Sequence, residues 1–591
     1  MVFMKKLLKQ LKQTGSTAIS TRESINKDFM VEKYKNGERY VMPLRYELLE
    51  QEIAEKLMAL SYVPAPKLSE KLLKRYIRQY EIDEGARLKI NFHLAEHQKS
   101  AIEIAAKNWV FMLTGGPGMG KTCVVKGIIS VIKMFHPGFK VVFCASTGKA
   151  ARNLAAAVGA DARTIQSAIG LADADEAVTG TLAGDIVVID EVSMLDLQTF
   201  AAILRSIKPG TKLIIVGDPD QLPSVGEGAV LRDLMQANMP DLENSRKSIH
   251  CIPWEALSVP HRQNADSVLY KDIFSIRFAE TAAYSRKDIK MISGEDVSIL
   301  NPKPDVLSQI VSLYKEMLGK YGKGNVAVLT PFRKVGKTCA NVVNSALQAE
   351  LNPNPKHFFE GEVEDCTGDE PVIRRVRFCV GDPVMQLKNR EHVSNGEVGK
   401  VVEISGDTVT VDFGRARLNY NPDSLGDLDL AYAMSVHKSQ GSEYKAVITL
   451  ALKEHEKLLS KNLVYTAITR AKKKCILICE PESFLKAVKR DASVERVTFL
   501  KEKLLAEKTR YEILRKAKKF FGKGGYPIEC LNFVEKNGAS ICAGLNRQSF
   551  TIPNTALGER AKKGIQMFLL SLDSAVTTAS FTENGLTVIA A

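Results

Sequence analysis

Gly115, Gly116, Pro117, Gly118, Met119, Gly120, Lys121 and Thr122 follow one another in the GxxxxGK[ST] spacing, between an apolar run and a helical one. Glycines at that density let a backbone wrap closely around a polyphosphate, with its N–H groups and the next helix N-terminus directed at the oxygens. Lys121 is then placed to reach the terminal phosphates and Thr122 to ligand Mg2+. A second apolar run, VVIDEVSMLD, ends in Asp190 and Glu191. A carboxylate at the carboxyl end of a sheet strand can join a magnesium shell, and its neighbour can polarise an attacking water, so Asp190 is assigned to the metal and Glu191 to water activation. A third run ends in VGDPDQLP, where Gln221, a neutral amide on a Pro-flanked turn, can hydrogen-bond a phosphate or its water without adding charge. The three segments together describe nucleotide hydrolysis with ATP and Mg2+ as cofactors.

The elements that position these residues have their own signature. From Trp109 to about residue 242 the runs WVFMLT, KVVFCAS, DIVVIDE and KLIIVGD alternate with helical stretches such as CVVKGIISVIKMF. Near-continuous Val/Ile runs imply strands buried on both faces, and the alternation implies a parallel α/β sheet. NVAVLTPF, AVITLAL and CILICEP repeat the pattern farther on. Two α/β cores follow, at 98–264 and 265–498. The second is interrupted from Phe378 to Asp427 by segments that alternate apolar and polar residues between Gly/Asp/Asn turns, as a small barrel would. Residues 1–25 are basic with no convincing period and are expected to form a frayed arm; helical spacing from Glu47 to Tyr80 makes the rest of 1–97 a helical module. Past 498, Lys501 to Phe520 reads as a basic helix, followed by short strand-like pieces.

Composition sets the limits. The chain has 591 residues and a formal net charge of +14, with 45% hydrophobic residues. At about 150 residues per domain that is roughly four units. Ten cysteines without metal-binding spacing read as ordinary thiols in a reducing compartment. The basic start lacks an apolar signal core, and no run is long and apolar enough to span a membrane, so a cytoplasmic protein with no membrane partner is expected. The Lys/Arg surplus is what a polyanion-binding surface shows.

Read in order, LAEHQKSAI, LTGGPGMGKT, CASTGKAARNL with RTIQSAIG, VVIDEVSMLD, VGDPDQLPSVGEGAVLRDL, LSVPHRQ, VLTPFRK, GDPVMQLKN with SNGEVGKV, LAYAMSVHKSQGSEY and NLVYTAITRAKKK resemble the motifs of RecD-like superfamily 1B DNA helicases of the stand-alone bacterial or phage type. The resemblance covers about 40–480. It implies two RecA-like domains with ATP between them, Gln98 at the adenine, and Arg262 and Arg470 supplied to the γ-phosphate. Thr147, Gly148, Lys149, Pro331, Arg333, His437, Lys438 and Ser439 match positions that touch single-stranded DNA, while Gln440 and Glu443 stand closer to the nucleotide. Small hydroxyls, backbone amides and basic side chains suit phosphate contacts that read no sequence. The 378–427 insert matches the family's SH3-like domain, and Gly170 to Gly184 lies where the family carries a duplex-splitting pin.

The resemblance further implies 5′-to-3′ movement on single strands and at junctions, as a monomer, in repair, recombination or replication. Its departures matter as well. The pin is short and acidic and lacks an aromatic tip; 1–97 shows no helix-hairpin-helix counterpart; and Val-Pro-His precedes Arg262. A DNA-stimulated translocase that unwinds weakly is therefore an alternative. A non-catalytic scaffold is another, opposed by Lys121, Asp190, Glu191, Arg262 and Arg470. The resemblance does not reach 499–591, which is left open between a docking module, a DNA-binding basic helix and an inert extension. A protein partner through either terminal region is open too.

Overall fold

The computed structural model describes all residues except 1, 22–25, 27, 65, 171–178, 239–250, 258–295, 354, 366–371, 391, 546–548, 553–556, 573–575, 583–584 and 591. Arg262 and the middle of the pin segment therefore lie outside the described residues.

The chain begins with helix α1 (Val2–Thr14), then strands β1 (Ile19–Ser20), β2 (Met30–Lys35) and β3 (Glu38–Pro43), and helices α2 (Leu44–Ser61) and α3 (Glu70–Leu88). The expectation of a frayed amino-terminal arm is corrected here. Leu7 and Leu11, one helical turn apart on α1, are 1% and 0% exposed and pack into the same core as α2 and the first parallel sheet. The stripe is only two leucines wide in a lysine-rich helix, and its partners are distant in sequence. β1 then pairs antiparallel with β3.

The first α/β unit runs α4 (Glu96–Lys107), β4 (Val110–Gly115), α5 (Lys121–Phe135), β5 (Val141–Ala145), α6 (Gly148–Val158), β6 (Ala162–Thr164), α7 (Ile165–Ile169), β7 (Ile186–Asp190), α8 (Leu197–Ser206), β8 (Lys212–Gly217), α9 (Val230–Gln236) and β9 (Trp254–Leu257). Its strands lie in the order β6-β5-β7-β8-β4-β9 and pair in parallel. Every residue of β4 and β8 is buried, which is why those stretches read as unbroken apolar runs. Each large aliphatic side chain so removed from water contributes on the order of 1.5–3 kcal/mol. β6 and β9, short and only partly buried, gave no such run.

The second unit comprises β10 (Val297–Leu300), α10 (Val306–Tyr321), β11 (Val326–Thr330), α11 (Ala340–Leu351), β12 (Phe358–Asp365), β13 (Val372–Cys379), β14 (Pro383–Gln386), β15 (Val398–Ser405), β16 (Thr408–Asp412), β17 (Arg417–Tyr420), β18 (Leu428–Leu430), β19 (Ala433–Ser435), β20 (Tyr444–Ala451), α12 (Lys461–Ile468), β21 (Ala471–Cys479) and α13 (Pro481–Lys489). A parallel sheet, β10-β21-β20-β11-β19, forms its core. The interruption is an antiparallel sheet, β17-β16-β15-β14-β18, with one apolar face. It reaches upstream of Phe378, because the β12–β13 hairpin places Val376 and Phe378 in the same core. That hairpin's outer face is charged, as in the Arg375–Glu362 pair, and this hid it from a hydrophobic reading.

After α13 the chain returns to the first unit. Arg496 donates to Ser224 Oγ (2.9 Å) and the Gly226 and Gly228 carbonyls (2.9 and 2.7 Å), while Arg232 donates to Thr498 Oγ1 (2.6 Å). Helix α14 (Leu500–Gly524) begins inside the core shared by α1 and α2, through Leu500 and Leu504. Its later turns join α15 (Ile528–Leu545), β22 (Ser549–Ile552), α16 (Glu559–Leu570), β23 (Val576–Thr582) and β24 (Gly585–Ala590) around a separate core. No helix among the described residues is long and apolar enough to cross a membrane.

Candidate functional site

Strands β4, β8 and β7 are neighbours in register, so their carboxyl ends deliver three loops side by side: 115–122, 218–223 and 190–191. This is where open parallel sheets place ligands. Gly118 and Gly120 have φ of 74° and 83°, conformations that a side chain resists, and they turn the 115–122 loop into the N-terminus of α5. That helix is braced from behind. Tyr80 of α3 donates to the Cys123 carbonyl (3.0 Å), Glu84 pairs with Lys126 (2.7 Å), and a Cβ at Gly127 would stand 2.7 Å from Ile102 Cδ1 and 2.9 Å from the Tyr80 ring.

A cavity of about 660 Å³ gathers Gln98, Gly116, Pro117, Gly118, Gly120, Lys121, Thr122, Asp190, Glu191 and Gln221 from the first unit with Glu443 and Arg470 from the second. Gly115 and Met119 complete the loop without lining the cavity. Lys121 Nζ donates to the carbonyls of Gly115 (2.6 Å) and Gly116 (3.0 Å). Gln98 accepts from the Ala95 N–H through Oε1 (3.0 Å). Gln221 is 3% exposed; its Nε2 donates to Asp218 Oδ2 (3.2 Å), and its Oε1 is buried without a partner. Arg470, 4% exposed, donates to the carbonyls of Thr466 (3.0 Å) and Ser442 (3.2 Å) and to Thr469 Oγ1 (3.0 Å). Gln440 lies beside the cavity and reaches the Leu222 carbonyl at 3.4 Å.

The electrostatics set the two acids apart from ordinary carboxylates. Burial raises Asp190, against the Lys121 ammonium and the Glu191 N–H that lower it. Burial and the Asp190 charge push Glu191 up to about 7. Glu191 also sits at φ 57°, in the left-handed region where a non-glycine residue is strained. A cation brought beside Thr122 and Asp190 would relieve that raised carboxylate. Among the described residues no cluster of three or more His, Cys, Asp or Glu could hold a metal ion.

The positions matched to DNA contacts follow the seam between the two units and the insert. Thr147 Oγ1 accepts from the Ala150 N–H (3.1 Å) as the cap of α6. A Cβ at Gly148 would fall 2.2 Å from Ser394 Cβ of the insert. Lys149 lies 5.2 Å from the Tyr444 ring centroid, and burial with Arg152 nearby lowers it to about 8. Pro331 is buried; Arg333 pairs with Asp429 (2.8 Å); burial lowers His437. Lys438 Nζ reaches Asn395 Oδ1 (2.8 Å), and the buried Ser439 hydroxyl donates to the Val436 carbonyl (2.7 Å).

Sequence reasoning missed the groups that join the halves. Thr466 Oγ1 accepts from the Leu222 N–H (2.9 Å), Asn462 Nδ2 donates to the Asp220 carbonyl (3.2 Å), and Tyr465 OH donates to Asp218 Oδ2 (3.1 Å). Their signal lay inside the VYTAITRA and VGDPDQ blocks. Also missed was a second cavity, about 710 Å³, between α6–α7 and the insert, where Arg152, Arg163, Arg390 and Arg415 converge. Glu397, 4% exposed, pairs there with Arg152 and with Arg415 (3.2 Å).

Residues 93–256 match the AAA domain family, and 430–478 match the UvrD-like helicase C-terminal domain family. The chain is 33% identical over 383 residues to the ATP-dependent RecD2 DNA helicase of Deinococcus radiodurans, covering 64% of this chain and 48% of that protein. It thus spans about half the length of that relative. It is 29% identical over 440 residues to the RecBCD enzyme subunit RecD of Mycobacterium tuberculosis, covering 67% of this chain and 71% of that one. Among solved structures, the Pif1 helicase of Candida albicans superposes with a TM-score of 0.43 at 19% identity, over 68% of this chain and 98% of that one. The two family models fall on the two sides of this cleft, and the chain is similar to RecD-type DNA helicases.

Proposed function

We propose that the chain is an ATP-dependent DNA helicase of two RecA-like domains that moves 5′ to 3′ on single-stranded DNA and separates duplex, as a cytoplasmic monomer serving repair, recombination or replication. The observation that carries this reading is the 660 Å³ cavity, where Lys121, Asp190, Glu191 and Gln221 of one unit face Arg470 of the other. Lys121 moves from its loop carbonyls to the β/γ phosphates. Thr122 and Asp190 would hold Mg2+, which would supply charge neutralisation at the phosphates. Glu191, with its raised proton affinity, takes a proton from the attacking water, which Gln221 Oε1 orients. Arg470, with Arg262 by resemblance, meets the γ-phosphate, so hydrolysis is tied to closure of the two units. Single-stranded DNA follows the seam past Gly148 and Lys149 into the arginine-lined second cavity, where phosphates compete with Glu397 for Arg152 and Arg415.

The test is strand separation with ATP and Mg2+ on matched duplexes bearing a 5′ tail, a 3′ tail or none. Opening of the 5′-tailed duplex alone, abolished by Lys121→Ala, supports the full reading; opening of the 3′-tailed one overturns the polarity. A DNA-stimulated translocase with weak unwinding is the second reading, and one feature favours it. The pin segment is closed at its base, where Gly180 N–H donates to the Ile169 carbonyl (2.8 Å) and Thr179 Oγ1 to the Gly170 carbonyl (3.0 Å), so that few residues separate the closing bonds. ATP turnover stimulated by single strands without duplex opening would establish it.

A further inference from the structure

The family-model matches end at residue 478, and the carboxyl-terminal module has a core of its own. Within it, the later turns of α14 bury Ala517 and Phe521 and leave Lys516, Lys519 and Lys523 exposed along one side, over about 10 Å of helix. Among the described residues none of these three lysines pairs with an acid, whereas neighbouring Lys518 pairs with Glu535 (3.4 Å). The three ammonium groups rim a cavity of about 570 Å³ whose floor includes Phe520, Tyr526, Met567 and Phe568, and among the described residues its lining holds no acidic side chain.

The floor is fixed rather than incidental. Phe520 and Tyr526 stack at 5.6 Å and 15°. Tyr526 is held between two glycines: a Cβ at Gly524 would come within 2.4 Å of its ring, and one at Gly564 within 2.7 Å. Its hydroxyl reaches Met567 Sδ at 3.5 Å. Flat rings offer a face to any base, and a row of evenly spaced point charges matches a repeating phosphate backbone. An acidic peptide would satisfy the lysines but brings no planar ring system at each step.

We propose that this basic, aromatic shelf is a second binding surface for single-stranded nucleic acid, with phosphates on Lys516, Lys519 and Lys523 and a base stacked on Phe520 and Tyr526. It goes beyond the cleft reading and does not depend on hydrolysis. The experiment uses the full chain and an oligothymidylate of about 40 nucleotides, long enough to reach both surfaces. Lys516→Glu/Lys519→Glu/Lys523→Glu is expected to weaken binding tenfold or more and to reduce the log–log salt slope by about 2, at about 0.7 per phosphate, with basal ATP turnover unchanged. An iodouracil-bearing oligonucleotide is expected to cross-link to the peptide holding Phe520 and Tyr526, in the Lys121→Ala protein as well, which separates this proposal from the cleft chemistry. Unchanged affinity and slope, or cross-links confined to residues before 499, would overturn it. So would binding of a fluorescent Asp- and Phe-containing peptide that the triple variant alone loses while the oligonucleotide is unaffected, which would make the shelf a protein-docking site.

Discussion

Tyr465 of the second parallel unit donates its hydroxyl to Asp218 of the first at 3.1 Å, and that hydroxyl lies 2.9 Å from where a Cβ would stand on Gly116. The phenol thus spans the cleft at the phosphate loop, against a carboxylate that also accepts from Gln221 (3.2 Å). Domain closure and the position of Gln221 are linked through one buried acid. A buried hydrogen bond to a charged acceptor is worth about 1.5–3 kcal/mol. Tyr465→Phe is expected to fold normally and to lower DNA-stimulated ATP turnover about tenfold or more, with little change in nucleotide affinity; steady-state hydrolysis beside nucleotide titration checks it.

Glu191→Gln keeps the size and hydrogen-bonding capacity of the side chain at its strained position and removes the group that can accept a proton. Loss of a general base costs typically 10²–10⁴-fold in turnover. Hydrolysis is expected to fall by about that much while nucleotide and single-stranded DNA still bind, as read by fluorescent-nucleotide titration and phosphate release. Turnover within threefold of the parent would remove Glu191 from the chemistry.

The candidate residues Lys121, Asp190 and Gln221 could be picked out of the sequence because each follows a buried strand and so comes with its own local context. Their partners were not. Tyr465 meets Asp218, and Arg152 meets Glu397, only after two units and an insert have folded together. The same holds for α1: Leu7 and Leu11 look like two leucines in a basic arm until Phe499 and Leu504 arrive from the far end of the chain. Short strands such as Ala162–Thr164 are held by pairing to a neighbour rather than by their own composition.

Arg163 is exposed at the mouth of the arginine-lined cavity, whereas Arg152 and Arg415 are engaged by Glu397. If the strand passes there, Arg163→Ala is expected to weaken binding several-fold equally on all sequences and to lower the salt slope by about 0.7. Fluorescence anisotropy at four salt concentrations would show it. An unchanged slope would place the strand elsewhere.

Glu50 on α2 ties the two ends of the chain together. It is 0% exposed, accepts from Thr17 Oγ1 (2.7 Å) and the Phe499 N–H (3.2 Å), and faces Lys503 at 3.6 Å. Burial pushes its carboxyl up to about 7; Lys503 and Thr17 oppose that, and Asp233 adds to it. A carboxyl raised in the folded state holds a proton that the unfolded chain has already released, so stability falls as pH rises from about 4.5 to about 7 and is level above. The displacement from the ordinary value of 4.5 to about 7 corresponds to about 3 kcal/mol. Glu50→Gln keeps an acceptor for Thr17 and Phe499 and removes the titration. Its melting temperature, relative to the parent, is therefore expected to be higher at pH 8 than at pH 5. A parent-minus-variant difference that stays constant across that range would mean that Glu50 is ionised throughout, with Lys503 compensating its burial.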